Sequence, residues 1–190
     1  FSVQQTFDGG YIVAGEANSN EGQVRGNHGR FDYWVVKLDS AGDIDWQRSL
    51  GGSKDDFATC IRQTKDSGYI VAGGSFSADG QVTGHHGMDI YSDCWVVKLG
   101  SSGHIQWQHS YGGTSGDVAQ DVQETKDGGY VVAGNATSND GDVRGVHDPV
   151  YGDAWIIKIS RAGDLQWQHA FGGSDYEQAN SILQTTDEGY

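Results

Sequence analysis

The sequence predicts an all-β fold built from four-stranded antiparallel blades, as in a β-propeller, and three observations lead to this prediction. The six tryptophans form three pairs whose members are 12 residues apart, namely Trp34/Trp46, Trp95/Trp107 and Trp155/Trp167. A Gly-Tyr tyrosine recurs at intervals of 58, 61 and 60 residues, at Tyr11, Tyr69, Tyr130 and Tyr190. A period of this size is typical of repeat architectures. The chain also has 30 glycines and one proline, which favours many tight turns over long helices.

Each repeat is predicted to contain four strands, and the second repeat shows them most clearly. They are 57–64, 69–73, 95–99 and 105–111, with a turn at 65–68. The neighbouring repeats have Asp-Gly-Gly at that turn, which is a strong hairpin signal. Alternating apolar residues predict that the last two strands are half-buried. The residues predicted to share a face are Trp95, Val97 and Leu99 in the third strand, and Ile105, Trp107 and Tyr111 in the fourth.

Four antiparallel strands in about 60 residues describe a propeller blade. A β-sandwich would not repeat so strictly, and the coils of a β-solenoid are shorter. We expect residues 1–190 to form a single repeat domain, with repeats at approximately 1–56, 57–117 and 118–177 and a partial, overlapping hairpin at 178–190. Propellers typically have four to eight blades, so three repeats are too few to close one. The expected partners are therefore other copies of the chain or further blades of a longer chain.

The composition excludes several classes of function. A net charge of −14 disfavours a nucleic-acid partner, because the phosphates would be repelled. No apolar run approaches the roughly 20 residues of a membrane helix, so we expect no membrane insertion. The two cysteines, Cys60 and Cys94, occupy non-equivalent positions of the repeat, so the fold should need neither a disulfide nor a cysteine-based metal site. This composition suits an extracellular protein, and a chain without an initial methionine suits a mature product or a fragment.

The repeat also resembles a known family. The matching runs are Asp-Gly-Gly-Tyr-Ile-Val-Ala-Gly at 8–15, Tyr-Trp-Val-Val-Lys-Leu-Asp at 33–39, Ile-Asp-Trp-Gln at 44–47 and Gly-Gly-Ser at 51–53. They are similar to tandem repeats of secreted and cell-surface proteins of Bacteroidetes-type bacteria and, in a shorter form, of methanogenic archaea. The resemblance covers the whole chain and implies a kelch-like propeller at the cell surface. It supplies no catalytic residue.

The variable part of the repeat is one loop tip. The Gly-Tyr tyrosine is followed 17 residues later by a histidine in every repeat, and the first tryptophan follows that histidine after 6, 9 and 8 residues. Because length varies only between the histidine and the tryptophan, we expect binding specificity there. A glycan or a surface protein is the expected ligand. The candidate contacts are Arg30, Phe31, Met88, Tyr91, Val150 and Tyr151.

Two features of the loop invite a metal-binding interpretation. Oxygen-rich runs around a glycine can bind Ca²⁺. The third loop has acidic residues that could do so, namely Asp140, Asp142 and Asp148. The favoured alternative for this loop is a turn whose side chains bond the backbone. No other cofactor is expected. The recurrent histidines are interpreted as structural residues of the loop, since copies on successive blades would lie far apart. They are His28, His86 and His147. His85 and His104 recur in no other repeat and are expected to be solvated.

We expect a binding or adhesion module and no enzyme. The chain lacks Gly-x-Ser-x-Gly, His-Glu-x-x-His and phosphate-loop motifs. Acidic residues recur after each Gly-Gly, at Asp56, Asp117 and Glu177, and are expected to anchor the crossing between blades. Two alternatives stay open: a structural repeat that forms filaments or surface assemblies, and a propeller hydrolase or lyase.

Overall fold

Twelve β-strands and no helix make up the described part of the chain, residues 1–88 and 90–190 of a computed structural model. The first sheet contains β1 (Ser2–Gln5), β2 (Tyr11–Ala17), β3 (Asp32–Leu38) and β4 (Ile44–Leu50). The second contains β5 (Asp56–Gln63), β6 (Tyr69–Ser75), β7 (Asp93–Leu99) and β8 (Ile105–Tyr111). The third contains β9 (Asp117–Glu124), β10 (Tyr130–Ala136), β11 (Asp153–Ile159) and β12 (Leu165–Phe171). Each sheet pairs consecutive strands antiparallel, which confirms the all-β class and the four-stranded blades; the sheets do not close into a barrel.

One aspartate organises the turn between the first two strands of each blade. In the second blade, Asp66 Oδ1 accepts hydrogen bonds from the Thr64 hydroxyl at 2.5 Å and the Gly68 N–H at 3.0 Å. The ammonium of Lys98, a buried residue of β7, lies 3.1 Å from the same carboxylate. Burial alone would raise the pKa of Asp66, but these hydrogen bonds and the lysine lower it to about 2. The same ion pair joins Lys37 to Asp8 and Lys158 to Asp127.

The predicted face of Ile105 was wrong because the last strand of each blade contains a β-bulge. Lys98 pairs with Trp107 but Leu99 pairs with Ile105, so Gln106 is the extra residue. The bulge reverses the alternation, and Ile105 therefore packs toward the first blade while Trp107 packs toward the third. The same shift recurs in the first and third blades.

The core lies between the blades, in two clusters. Trp95, fully buried, lies in the cluster between the first and second blades. Its ring contacts that of Tyr33 of the first blade, with centroids 4.7 Å apart and planes tilted by 57°. Trp107, its partner in the repeat, contacts Tyr130 of the third blade edge to face at 5.8 Å. The two tryptophans of the second blade thus face opposite neighbours, and the pair ties that blade to both. Burying such large side chains supplies much of the apolar area.

The first strands of the blades lie side by side, with β1 against β5 and β5 against β9. A glutamine or glutamate side chain bonds the backbone of the neighbouring turn at each step. The Phe7 N–H donates to Gln63 Oε1 at 2.7 Å, and the Lys65 N–H donates to Glu124 Oε2 at 2.8 Å. The next bond in the series runs from the Lys126 N–H to Gln184 Oε1 at 2.8 Å.

Residues 177–190, which we call the tail segment, therefore lie where the first strand of a fourth blade would lie. The predicted turn is present, since the Thr185 N–H donates to the Gly189 carbonyl at 2.8 Å. The residues before this turn form no strand. The loops after β2, β6 and β10 share one edge of the blades with the crossings between blades, and this edge is called the loop edge below. None of the described residues forms a helix long and apolar enough to cross a membrane.

Candidate functional site

The crossing between blades is anchored by the acidic residue that follows each Gly-Gly, as predicted. Asp117 Oδ2 accepts hydrogen bonds from the Gly113 N–H at 2.8 Å and the Ser138 hydroxyl at 2.6 Å. Asp56 and Glu177 accept the equivalent N–H bonds at 2.8 and 3.0 Å. Burial raises the pKa of Asp117 to about 6, against the lowering effect of these donors. The Asp117 carboxylate therefore connects the crossing at Gly113 with the loop at Ser138.

The recurrent histidines each bond a fully buried aspartate. The Nδ1 atoms of His28, His86 and His147 lie 2.7, 2.9 and 2.6 Å from Oδ2 of Asp32, Asp93 and Asp153. The same three oxygens accept the backbone N–H of the histidine. Each pair therefore fixes the start of the variable tip to the strand that follows the tip.

The expectation that His85 is solvated was wrong. Its side chain is only 2% exposed, and Nδ1 lies 3.7 Å from Asp93 Oδ2. Neither ring nitrogen has a hydrogen-bond partner among the residues that the structure describes. The ring therefore lies beside the His86–Asp93 pair. His104 is exposed.

The three acidic residues of the third loop make separate bonds. Asp140 accepts from the Thr114 N–H at 2.7 Å and from the Thr114 hydroxyl at 2.8 Å. Asp142 Oδ2 lies 3.4 Å from the Gly112 nitrogen, while Asp148 Oδ1 accepts the Val150 N–H at 2.7 Å. Within 1–88 and 90–190, no three His, Cys, Asp or Glu side chains are grouped as a metal ion would require. Calcium binding by this loop stays a prediction. The observed hydrogen bonds are of the kind expected for the alternative, a turn whose side chains bond the backbone.

Two of the six candidate contacts come together, and four do not. Tyr91 and Val150, from the tips of the second and third repeats, line one pocket of about 550 Å³ on the loop edge. Arg30 pairs with Asp55 at 3.4 Å, and Phe31 lies with it at the first tip. Met88 and Tyr151 are exposed side chains outside the pocket lining.

The described residues that line the pocket between these tips are uncharged, and most of them are small. Besides Tyr91 and Val150 they are Ser92, Ser115, Gly116, Val118, Asn135, Thr137 and Pro149. Hydroxyl groups, one amide and one tyrosine ring therefore surround the space. A concave site of this size that combines apolar surface with polar groups is a usual form of a small-molecule site.

The equivalent position between the first and second blades is filled. There Phe57 and Phe76 stand where Val118 and Thr137 stand in the third repeat, and their rings lie 6.3 Å apart. The ring of Phe57 covers Gly74 so closely that a Cβ would not fit there. The pocket thus exists because two aromatic side chains are replaced by small ones.

Sequence reasoning missed Thr137, Ser115 and Asn135 as pocket residues. It looked for function where the loop length varies, whereas half of this pocket comes from positions of constant spacing. The signal was present in the change from Phe57 and Phe76 to Val118 and Thr137.

Neither models of protein families nor curated proteins give a match to this chain.

Proposed function

We propose that the chain is a secreted or surface-exposed binding module that takes an uncharged saccharide in the pocket between Tyr91 and Val150. The observation that carries this proposal is the pocket itself, to which two variable tips contribute and which is filled at the other blade junction. Among the residues that the structure describes, none that lines the pocket is ionisable except the tyrosine. Such a lining suits a neutral ligand, and the net charge of −14 disfavours an anionic one.

The residue types favour a sugar within the class of neutral ligands. Tyr91 is 43% exposed and can present its ring face to the apolar side of a pyranose while its hydroxyl stays in water. Thr137 and Ser115 bring hydroxyl groups to the opposite wall, although the Thr137 hydroxyl also donates to the Gly116 carbonyl at 2.7 Å. Binding without catalysis is proposed because Asp117, which anchors the crossing beside the pocket, is buried and bonded to the crossing turn.

The test is a glycan array followed by titration of the best ligand into the purified chain. Thr137→Phe places in the pocket the residue that the second repeat has there, so the scaffold should accept it. We expect this variant to lose about tenfold or more in affinity, which corresponds to about 1.4 kcal/mol. Tyr91→Ala should weaken binding as well, through loss of the aromatic surface.

Tyr151→Ala is the matched control, because this tyrosine lies on the same tip as Val150 but outside the lining. It should bind as the unchanged chain does. Equal affinity of the Thr137→Phe variant would overturn the assignment of the pocket. Absence of any glycan ligand would overturn the proposed function.

A further inference from the structure

The first and third blades each carry one face that no other blade covers, and among the described residues only the tail segment packs on the face of the third blade. Tyr11 of the first blade is 39% exposed, whereas its equivalents Tyr69 and Tyr130 are 2% exposed. On the opposite end, Phe171 of the third blade is 57% exposed, whereas its equivalents Leu50 and Tyr111 are nearly buried. The residues that pack at both interior junctions thus recur at the two ends of the stack, exposed to solvent.

Each end face forms an apolar groove. On the first blade, Val13, Trp34, Leu38 and Ile44 line a groove of about 290 Å³. On the third blade the groove is about 740 Å³ and is the larger of the two. It is lined by Ile156, Trp167, His169 and Phe171, together with Leu183 and Tyr190 of the tail segment.

We propose that these two faces bind each other between copies: the third blade of one copy packs on the first blade of a second copy. The two junctions inside the chain show how these two kinds of face pack against each other. A head-to-tail contact of this kind closes into a ring when the rotation allows it. Two copies would give six blades, which lies within the usual range of four to eight.

The tail segment competes for the same place. Tyr190 contacts Trp167 edge to face at 5.5 Å, as Tyr130 contacts Trp107 at 5.8 Å. By the repeat register, Gln184 and Tyr190 of the tail correspond to Gln5 and Tyr11 of the first blade. The tail therefore occupies the site that the first blade of a second copy would take, and it must move aside. It is the weaker occupant, because it forms no strand and Leu183 is 58% exposed.

One glycine allows the contact to be blocked at a position where the isolated chain has space for a side chain. In the second blade, a Cβ on Gly103 would lie 2.8 Å from the Trp46 ring of the first blade. In the third blade, a Cβ on Gly163 would collide with His109 of the second. Gly42 is the equivalent in the first blade, and a Cβ there would have no atom within 4 Å. In the proposed dimer it would meet His169 of the other copy.

The experiment measures the mass of the full chain by sedimentation equilibrium across a range of concentrations, for the unchanged chain and three variants. The unchanged chain should rise from 20.4 kDa toward twice that mass. Added salt should strengthen the association, since each copy has a net charge of −14. Gly42→Asn should stay monomeric, because its side chain would occupy the contact. Asparagine is chosen because Gly42 has a φ of +91° and asparagine is among the residues that enter the left-handed region most often.

Gly9→Asn is the matched control for Gly42→Asn. Its φ is +85° and its surroundings are also open, but the equivalent residue Ser67 already carries a side chain at an interior blade. This variant should associate as the unchanged chain does. Tyr190→Ala should associate several-fold more tightly, because an aromatic pair that holds the tail is removed.

A chain that stays monomeric, with and without Tyr190→Ala, would overturn the proposal. Association that Gly42→Asn leaves unchanged would place the contact elsewhere and overturn it equally.

Discussion

The junction between the first and second blades and the junction between the second and third are built from the same positions of the repeat, but only the second is open at the loop edge. Both have a buried tryptophan, Trp95 or Trp155, and an anchoring aspartate, Asp56 or Asp117. At the loop edge, Phe57 and Phe76 close the first junction, whereas Val118 and Thr137 leave a pocket at the second. The framework residues thus preserve the fold, and a few exchanges beside them create a site.

The largest expected effect tests the shared framework. Trp95→Ala and Trp155→Ala should each lower the free energy of unfolding by about 3–5 kcal/mol, since both remove a fully buried indole. The loss should be larger at Trp95 by about 0.5–1.5 kcal/mol, because its ring also contacts that of Tyr33. Urea unfolding followed by circular dichroism gives these values. Trp34→Ala is the control, because this equivalent tryptophan is half-buried on an end face and its loss should cost clearly less stability. Equal losses at Trp34 and Trp95 would contradict the assignment of the stabilising role to the buried junction tryptophans.

A pH effect is expected from the anchoring aspartate of the open junction. Burial raises the pKa of Asp117 from 3.8 to about 6, so folding favours its protonated form. The protein should therefore lose stability as pH rises from about 4 to 6, by about 3 kcal/mol at 1.36 kcal/mol per pKa unit, and the loss should be complete above pH 6. Asp66 and Asp127, whose pKa values are lowered to about 2, act in the opposite sense and below pH 4. Stability should thus be greatest near pH 4, as unfolding at a series of pH values would measure.

Two serine variants separate the contributions of the two junctions to this pH effect, since burial also raises the pKa of Asp56 at the closed junction. Ser138→Ala removes a hydroxyl that donates to Asp117 and lowers its pKa, so the pH window should move upward. Ser77→Ala removes the matching donor from Asp56 at the closed junction and should leave the Asp117 window in place. A rise in the stability of the unchanged protein between pH 4 and 6 would show that Asp117 is not held protonated.

Opening the closed junction should produce a second pocket. The double variant Phe57→Val, Phe76→Thr gives the first junction the residues of the second, and Gly74 keeps the space behind them free. Because both rings are half-buried, we expect a loss of about 2 kcal/mol in stability. Calorimetric titration with the ligand of the unchanged chain should still find one site of unchanged affinity, with any added site weaker, since the first tip lacks a tyrosine equivalent to Tyr91. Loss of the original site would mean that the two junctions do not act independently.

The framework of the blades could be predicted from the sequence, whereas the pocket could not, and the difference has physical reasons. The spacings of tryptophan, tyrosine and glycine predicted the blades and the role of Asp56 and Asp117, because these contacts repeat with the strands. The bulge at Gln106 could not be found from alternation, since one extra residue reverses the faces that alternation predicts. The burial of His85 and the meeting of Tyr91 with Val150 depend on how long loops fold back, which no local pattern encodes.

The smallest expected effect concerns calcium at the open junction. Gln81 and Asp142 occupy the same position in successive loops and approach the equivalent glycine N–H groups at 3.1 and 3.4 Å. Calcium would require Asp142 to share an ion with Asp140 and Asp148, but those carboxylates already bond Thr114 and the backbone of the tip. We therefore expect Ca²⁺ or a chelator to leave the melting temperature unchanged, and Asp142→Gln to alter stability by no more than about 0.5 kcal/mol. A bound ion would raise the melting temperature with its concentration, so a calcium-dependent rise that Asp142→Gln abolishes would establish the site in the third loop.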